Sequence, residues 1–159
     1  MANLSVGMSK EQVLKFANRL GETAKTKIIN FFNNDEDGKI SHVNELAILN
    51  SIFDGTGKVK MPENNTVVAN MKGHTVSSCD SKNPDGTTSW SILYDEDQDG
   101  YADGHNMGHY NKSQNKLTTG WYGKDRNIDG VPDAKKNYQV VNDSNVPITD
   151  SRNILPDID

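Results

Sequence analysis

Residues 95–103, which read DEDQDGYAD, place oxygen-bearing side chains at alternate positions of a short segment. Aspartates stand at positions 1, 3, 5 and 9 of this run, a glutamate at position 2 and a glycine at position 6. Carboxylates at this spacing repel one another, so the pattern favours a segment that binds a cation. Calcium takes about six to eight oxygen ligands at about 2.3–2.6 Å, and a short turning loop can supply them.

The glycine permits a sharp turn, so that side chains before and after it can converge on one ion. We expect the strongest calcium site of the chain in this first loop. A solvated acidic turn without an ion is the competing interpretation. The expected ligands are Asp95, Asp97, Asp99, the carbonyl oxygen of Tyr101, Asp103 and, at position 12, Asn106.

A second loop of this kind lies between two segments with helical periodicity. Ser9 and Gln12 have the spacing of a capping box, and apolar residues recur at helical spacing over about residues 9–31 and 42–53. Gly21 is expected to weaken the first helix without ending it. The apolar Ile40 fits a loop that packs a short β-segment against a neighbour. The expected ligands are Asn33, Asp35, Asp37, the carbonyl oxygen of Lys39, Ser41, and either Asn44 or Glu45.

This helix–loop–helix segment resembles an EF-hand, and its stretches FFNNDEDGKIS and NELAIL are also similar to a dockerin repeat. The resemblance covers about forty-five residues and implies a calcium-binding loop between the two helices. The departure is Asn44 at position 12, where the EF-hand family carries a bidentate glutamate. Either the loop is one residue longer and Glu45 closes it, or Asn44 binds through one oxygen. A helical hairpin with a polar connector remains the alternative.

A third loop, DRNIDGVPD at residues 125–133, repeats the pattern of the first loop about thirty residues later. Both follow an aromatic-bearing β-like run, which predicts two copies of one supersecondary unit. Lys136 at position 12 cannot be a ligand, so we expect weaker binding or completion by oxygens from elsewhere. The expected ligands are Asp125, Asn127, Asp129, the carbonyl oxygen of Val131, and Asp133.

The first and third loops are similar to thrombospondin type 3 repeats and to related bacterial DxDxDGxxD segments. That resemblance covers about nine to twelve residues in each copy. It implies that calcium organises a chain with little core of its own.

Beyond Gly57, short runs rich in β-branched and aromatic residues alternate with turn sequences, which predicts a small antiparallel sheet. We therefore predict an α+β fold, in which an EF-hand-like helical hairpin packs on this β-region with its calcium-binding loops. The expected divisions are a helix–loop–helix over 1–57, the β-region over 58–142 and an acidic tail over 143–159. The β-like runs are 66–71, 74–79, 87–94, 116–122 and 137–141.

Composition narrows the classes of function. The chain is 33% hydrophobic with a mean hydropathy of −0.75, so its core must be small or helped by a ligand. A net charge of −5 argues against a nucleic-acid partner. The single cysteine, Cys79, excludes an internal disulfide and a cysteine-based zinc site. No apolar run is long enough to span a membrane, and no signal peptide is visible.

These observations predict a calcium-binding protein with up to three Ca²⁺ sites and no catalytic activity, whose fold the ion stabilises. His105 and His109 are four residues apart, but Gly104 and Gly108 argue against the helix that a transition-metal pair would need. A structural or adhesive module is favoured, with calcium as its partner and a protein or cell-surface partner left open. The alternatives are an intracellular calcium sensor or buffer, and a carbohydrate-binding accessory module that uses Trp90 or Trp121. Calcium availability favours an extracellular or cell-surface location.

Overall fold

The computed structural model describes residues 4–35, 37–62, 67–70, 74–113 and 117–141. Within these ranges three helices precede six strands, so the chain has an α+β fold, as predicted. The predicted acidic tail lies outside the described residues. The elements are α1 (Lys10–Ala17), α2 (Glu22–Asn34), α3 (Val43–Asp54), β1 (Val67–Asn70), β2 (His74–Lys82), β3 (Thr88–Asp95), β4 (Gly104–Ser113), β5 (Leu117–Lys124) and β6 (Ala134–Val141).

The first helical segment is two helices rather than one. Helix α1 begins at the predicted capping box, in which the Ser9 hydroxyl accepts from the backbone N–H of Gln12. It ends at Ala17, and α2 begins after Gly21, whose extended backbone forms the N-cap. The prediction of one helix through Gly21 is therefore wrong, because glycine gains little by staying helical and readily adopts the extended conformation of a cap.

Helix α3 agrees with its predicted bounds to within one residue. It begins after His42, whose Nδ1 accepts from the backbone N–H of Glu45 at 3.3 Å. It ends at Gly55, which adopts a left-handed conformation with φ of 68°. Helices α2 and α3 thus flank the predicted second loop.

The six strands form one antiparallel sheet in which each strand pairs with the next one in sequence. Strand β4 was not predicted, because its sequence GHNMGHYNKS lacks β-branched residues. Its glycines Gly104 and Gly108 lie opposite Tyr94 and Trp90, whose rings fill the space that a Cβ atom would take. Aromatic cover of this kind offsets the weak strand tendency of glycine.

The helices and one face of the sheet share a hydrophobic core. Leu93 of β3 joins the helical residues there, and Ala102 and Ile128 of the first and third loops pack at its edge. The opposite face carries a smaller aromatic cluster of Trp90, Tyr110 and Tyr122. The loops therefore lie where the helices meet the sheet. The buried members of the shared core are Val13, Ala17, Ile28, Phe31, Phe32, Ile40, Ile48, Leu49, Val59, Met61 and Leu93.

Among the helices that the structure describes, none combines the length and the apolar character needed to cross a membrane.

Candidate metal centres

The loop 95–103 connects β3 to β4 and brings four carboxylates together. Oxygens of Asp95, Asp97, Asp99 and Asp103 all lie within 4.8 Å of one another. All four were predicted ligands. The chain turns at Gly100, which has a φ of 89°, so the glycine performs the role expected of position 6.

Backbone N–H groups hold these carboxylates in place. The Gly100 N–H donates to Asp95 Oδ2 and the Tyr101 N–H to Asp99 Oδ1, both at 2.9 Å. The Glu96 N–H donates to Asp103 Oδ2 at 2.6 Å. These backbone amides orient the carboxylates but carry no net positive charge. The mutual repulsion of the aspartates therefore persists.

Asp95 places a buried carboxylate oxygen in this loop. The residue is only 3% exposed, and its Oδ1 has no hydrogen-bond partner in the part of the chain that the structure describes. A buried carboxylate oxygen without a partner is costly, and a cation would satisfy it. The pKa of Asp97 is raised to about 6. The largest cause is desolvation, followed by the side-chain contact with Asp95 and by the negative charges of Asp103 and Asp99. The residues present therefore fit a divalent ion.

Two further predicted ligands have different surroundings. Tyr101 follows the turn and forms an antiparallel bridge with Lys60. Asn106 lies within β4, opposite Ile92, and so belongs to the sheet rather than to the loop.

The loop 95–103 is joined directly to the segment that follows α3. The Met61 N–H donates to the Gly100 carbonyl at 2.9 Å, and the Ala102 N–H donates to the Val59 carbonyl at 2.7 Å. Val59 and Met61 belong to the shared core. The geometry of this loop therefore fixes one junction between the helices and the sheet.

A second acidic cluster lies between α2 and α3. Oxygens of Asp35, Asp37 and Glu45 lie within 4.8 Å of one another. Glu45, and not Asn44, is thus the residue that the structure brings to this cluster. The Asn44 amide instead donates to the carbonyls of Ser77 and Ser91 at 3.0 and 3.1 Å, and its Oδ1 accepts from the Ser77 hydroxyl at 2.7 Å.

Of the other predicted ligands of the second loop, two contact this cluster and one is exposed to solvent. The Ser41 hydroxyl donates to Asp37, and its backbone N–H donates to Glu45 Oε1 at 3.3 Å. The Lys39 N–H donates to Asp37 Oδ1 at 3.2 Å. Asn33 is exposed in the last turn of α2.

The electrostatics of the second cluster are unfavourable without an ion. Burial, followed by the hydrogen bond and charge of Asp37, raises the pKa of Asp35 to about 7. Burial and the charges of Asp35 and Asp37 raise the pKa of Glu45 well above its usual value. Asp35 Oδ2 is buried without a hydrogen-bond partner among the described residues. A divalent ion would reverse each of these effects, so this cluster also fits one.

Ile40 packs as its apolar character predicted. The side chain is fully buried in the shared core. Its backbone N–H donates to the Met8 carbonyl and its carbonyl accepts from the Gly7 N–H, both at 2.8 Å. The neighbour of this loop is thus the segment that precedes α1. The local sequence pattern does not indicate this contact, because its residues are far apart in the chain.

The loop 125–133 has the backbone of the loop 95–103. The Gly130 N–H donates to Asp125 Oδ2 at 2.8 Å, and the Val131 N–H donates to Asp129 Oδ1 at 2.9 Å. Its Asp133 Oδ2 accepts from the Arg126 N–H at 2.6 Å. Each contact has its counterpart thirty positions earlier, so the sequence repeat forms two strand–loop–strand units.

The side chains of this third loop are arranged differently. Among the described residues, only the two acidic clusters above bring three or more carboxylates within ligating distance of one another, and Asp125, Asp129 and Asp133 are not among them. The Asn127 amide donates to Asp129 Oδ2 at 3.1 Å, so an uncharged donor stands where the first loop has Asp97. Calcium binding at this loop stays a prediction.

His105 of β4 accounts for much of this difference. Its Nδ1 lies 2.7 Å from Asp125 Oδ2, and both residues are almost fully buried. Burial by itself raises the pKa of Asp125, but the hydrogen bond and charge of His105 and the N–H groups of Gly130 and Asp129 outweigh it and lower this pKa. The contact was missed because it joins a residue of β4 to the first residue after β5, and only the register of these two strands brings them together.

The other ring nitrogen of His105 meets Ser91. The Ser91 Oγ lies 2.6 Å from His105 Nε2 and also accepts from the Asn44 amide at 3.3 Å. Serine, histidine and aspartate have this order in hydrolase triads. Here the serine lies inside strand β3, is 5% exposed and is held by Asn44, which is the environment of an anchoring group.

A cavity of about 50 Å³ lies between the helices and the sheet. It can hold a few water molecules or a small ion, and it is well below the roughly 300–1,000 Å³ of most ligand pockets. Burial, followed by the charge of His105, lowers the pKa of His42 to about 4. The polar side chains that line the cavity are Asn34, Asp35, His42, Glu45, Ser81, Ser89, Ser91 and His105.

No protein-family model, curated protein or solved structure matches this chain. The function of these centres is therefore inferred from their own geometry and chemistry.

Proposed function

We propose that this chain is a calcium-binding module whose fold is stabilised by Ca²⁺ and which serves a structural or adhesive role. The observation that carries the proposal is the first loop, where four carboxylates converge around a buried and unpartnered oxygen of Asp95. The cluster of Asp35, Asp37 and Glu45 provides a second candidate site.

Calcium suits these clusters better than other biological cations. Both offer carboxylate oxygens, and neither includes a cysteine or histidine of the kind that selects zinc or copper. Magnesium demands a near-ideal octahedron and keeps several of its waters, whereas calcium accepts the irregular arrangements that a flexible loop provides.

The proposed mechanism is linkage between binding and folding. The carboxylates converge only in the folded loops, so the free energy of ion binding adds to the free energy of folding. At a free ion concentration of about a hundred times the Kd, one site contributes about 2.7 kcal/mol, against a typical stability of about 5–15 kcal/mol. Because the loop 95–103 is bonded to the segment at Val59 and Met61, this stabilisation acts on the junction between helices and sheet.

The contacts of α3 favour a structural role over a sensor. A sensor of the EF-hand type changes the angle between its helices and exposes an apolar groove. Here Asn44 ties the start of α3 to β2 and β3, and Ile48 and Leu49 are buried in the shared core. Opening this pair of helices would break those hydrogen bonds and expose that core.

The surroundings of the tryptophans favour the structural role over carbohydrate binding. Trp90 is 2% exposed and belongs to the aromatic cluster of the sheet. The Nζ of Lys135 lies over the ring of Trp121, 4.2 Å from its centroid, and covers one face of the indole. Stacking on a sugar needs an exposed ring face.

Calorimetric titration of the chelator-treated protein tests the proposal, with calcium and magnesium as separate ligands. We expect Asp97→Asn to weaken the tightest calcium site by about tenfold or more, because it removes one charged ligand from four. The matched control is Asp54→Asn, which makes the same change of charge at an exposed position at the end of α3.

Circular dichroism in saturating calcium checks that both variants are folded. A calcium titration that is unchanged by Asp97→Asn, or an equal loss in Asp54→Asn, would refute the assignment of the first loop. A wild-type protein that takes up no calcium would refute the proposal as a whole.

A further inference from the structure

The two strand–loop–strand units differ in the residue that lies beside their first aspartate. The register of β2 and β3 places Thr75 of β2 opposite Asp95, the first aspartate of the unit β3–loop–β4. His105 of β4 has the corresponding position beside the unit β5–loop–β6, because the Asp125 N–H donates to the His105 carbonyl at 2.9 Å, next to the pair of Asn106 and Lys124. Each pair is separated by the same number of residues, so Thr75 and His105 are equivalent positions of the repeat.

This difference changes which hydrogen-bond partners the carboxylate oxygens of the first aspartate have. His105 Nδ1 bonds to Asp125 Oδ2 at 2.7 Å, and the Asp129 N–H donates to Asp125 Oδ1 at 3.1 Å. Both oxygens of Asp125 therefore have partners. Asp95 Oδ1, at the same position of the first unit, has none among the described residues.

The imidazole of His105 is held in one orientation by a series of donors. The Asn44 amide donates to Ser91 Oγ, and the Ser91 hydroxyl can then donate to His105 Nε2. Nδ1 is left to carry the hydrogen that is donated to Asp125, since an ionised carboxylate is only an acceptor. The carboxylate of Asp125 is thus satisfied from within the chain, so the contact needs no metal ion.

The loop 125–133, which His105 contacts, also attaches to helix α2. The Asn34 amide, in the last residue of α2, donates to the Gly130 carbonyl at 3.2 Å. The ring of Phe31 lies against Gly130 and fills the space that a Cβ atom would need. The loop 125–133 thus joins α2 to the sheet, as the loop 95–103 joins the segment after α3.

We propose that His105 takes the place of a metal ion in the loop 125–133, so that this loop attaches to α2 without calcium. The contrast with the loop 95–103 rests on the proposed function, whereas the role of His105 in its own loop does not. Calcium dependence then resides in the first loop and in the cluster of Asp35, Asp37 and Glu45.

Substitutions at position 5 of the two loops test the calcium part. The number of calcium ions bound is measured by calorimetry for wild type, Asp99→Asn and Asp129→Asn. We expect Asp99→Asn to weaken one calcium site by about tenfold or more, as for Asp97→Asn, and Asp129→Asn to keep the wild-type number and affinities. Loss of an ion in Asp129→Asn would overturn the inference while leaving the proposed function intact.

Thermal unfolding in excess chelator tests the role of His105 without reference to calcium. We expect His105→Thr to lower Tm by about 6 °C or more, because it leaves the buried Asp125 without its partner. The control is His109→Thr, the same substitution four residues further along β4. An equal fall in Tm for both variants would overturn the inference.

Nitrogen-15 spectra of the wild-type imidazoles in chelator give a readout that needs no folded variant. The expected result is a His105 that carries a hydrogen on Nδ1 in chelator. An Nδ1 without a hydrogen in chelator, or an Nδ1 that gains a hydrogen only when calcium is added, would contradict the assignment. If wild type binds no calcium at all, the proposed function fails, and the two chelator measurements still decide the role of His105.

Discussion

The loops 95–103 and 125–133 share a backbone and differ in charge. Both turn at a left-handed glycine, with φ of 89° and 84°, and both hold their ninth residue through the N–H of their second. The first carries five acids, whereas the second carries three acids and an arginine. The shared pattern therefore specifies the same turn in both loops, and the side chains around that turn differ.

What surrounds the first aspartate illustrates this most directly. Asp95 and Asp125 both accept the N–H of the glycine that follows five residues later. Only Asp125 also meets a histidine from the neighbouring strand. Under the proposals above, the first aspartate is satisfied by an ion from solution in one loop and by a side chain of the chain itself in the other.

Substitution of the first aspartate should give the largest difference in stability between the two loops. In chelator we expect Asp125→Asn to reduce the free energy of unfolding by about 3 kcal/mol, because it breaks a buried hydrogen-bonded pair. Asp95→Asn should be neutral or stabilising in chelator, because it relieves repulsion among four carboxylates. Urea unfolding of both variants measures the difference. Equal destabilisation by the two substitutions in chelator would show that the loops do not differ in this way.

The glycine at position 6 gives a smaller contrast. Alanine is strained by about 1–2 kcal/mol at either position because φ is positive. In Gly130→Ala the new Cβ also meets the ring of Phe31, while in Gly100→Ala it meets nothing within 4 Å. Overpacking of that kind costs about 1–3 kcal/mol, so Gly130→Ala should be less stable by that margin. Thermal unfolding in saturating calcium compares the pair, and a less stable Gly100→Ala would contradict the described docking on α2.

The dependence of calcium stabilisation on pH is the smallest of these effects. Asp35 has a pKa of about 7 in the folded protein against 3.8 for the free residue, mainly because of burial. Between these values the folded chain without an ion holds a proton that the unfolded chain releases, so its stability falls as pH rises through this window. Calcium must displace that proton, and the rise in Tm caused by calcium should therefore be small at pH 5 and grow up to about pH 8.

Comparing Tm with calcium and with chelator at each pH measures the combined effect of the carboxyl groups with a raised pKa, which are Asp35, Glu45 and Asp97. His42, whose pKa is lowered to about 4 by burial, contacts this cluster through its Nε2, which lies 3.5 Å from Glu45 Oε1. Asp35→Asn should reduce the dependence without removing it, because Glu45 and Asp97 also have raised pKa values. A calcium effect that decreases as pH rises would contradict the assignment of the cluster of Asp35, Asp37 and Glu45.

Features that depend on neighbouring residues were predictable from the sequence. The cap at Ser9, the bounds of α3, the turn at Gly100 and the repeat of the two loops each follow from local spacing. The convergence of the aspartates in the first loop follows from the same spacing, because a glycine turn brings alternate side chains to one side.

Features that depend on distant residues were not predictable in this way. Strand β4 forms because Tyr94 and Trp90 cover its glycines, and its own composition does not indicate a strand. The contact of His105 with Asp125 requires the register of two strands. The choice between Asn44 and Glu45 depends on which side of α3 faces the sheet, and the structure turns Asn44 toward Ser77 and Ser91.

The central claim is that calcium binds among the aspartates of the loop 95–103. A crystal structure at high resolution, grown in calcium and measured with anomalous scattering, tests it most directly. The expected result is an anomalous peak about 2.3–2.6 Å from oxygens of Asp95, Asp97, Asp99 and the Tyr101 carbonyl, with no such peak in the loop 125–133. Ordered water alone among those aspartates, in crystals saturated with calcium, would contradict the claim.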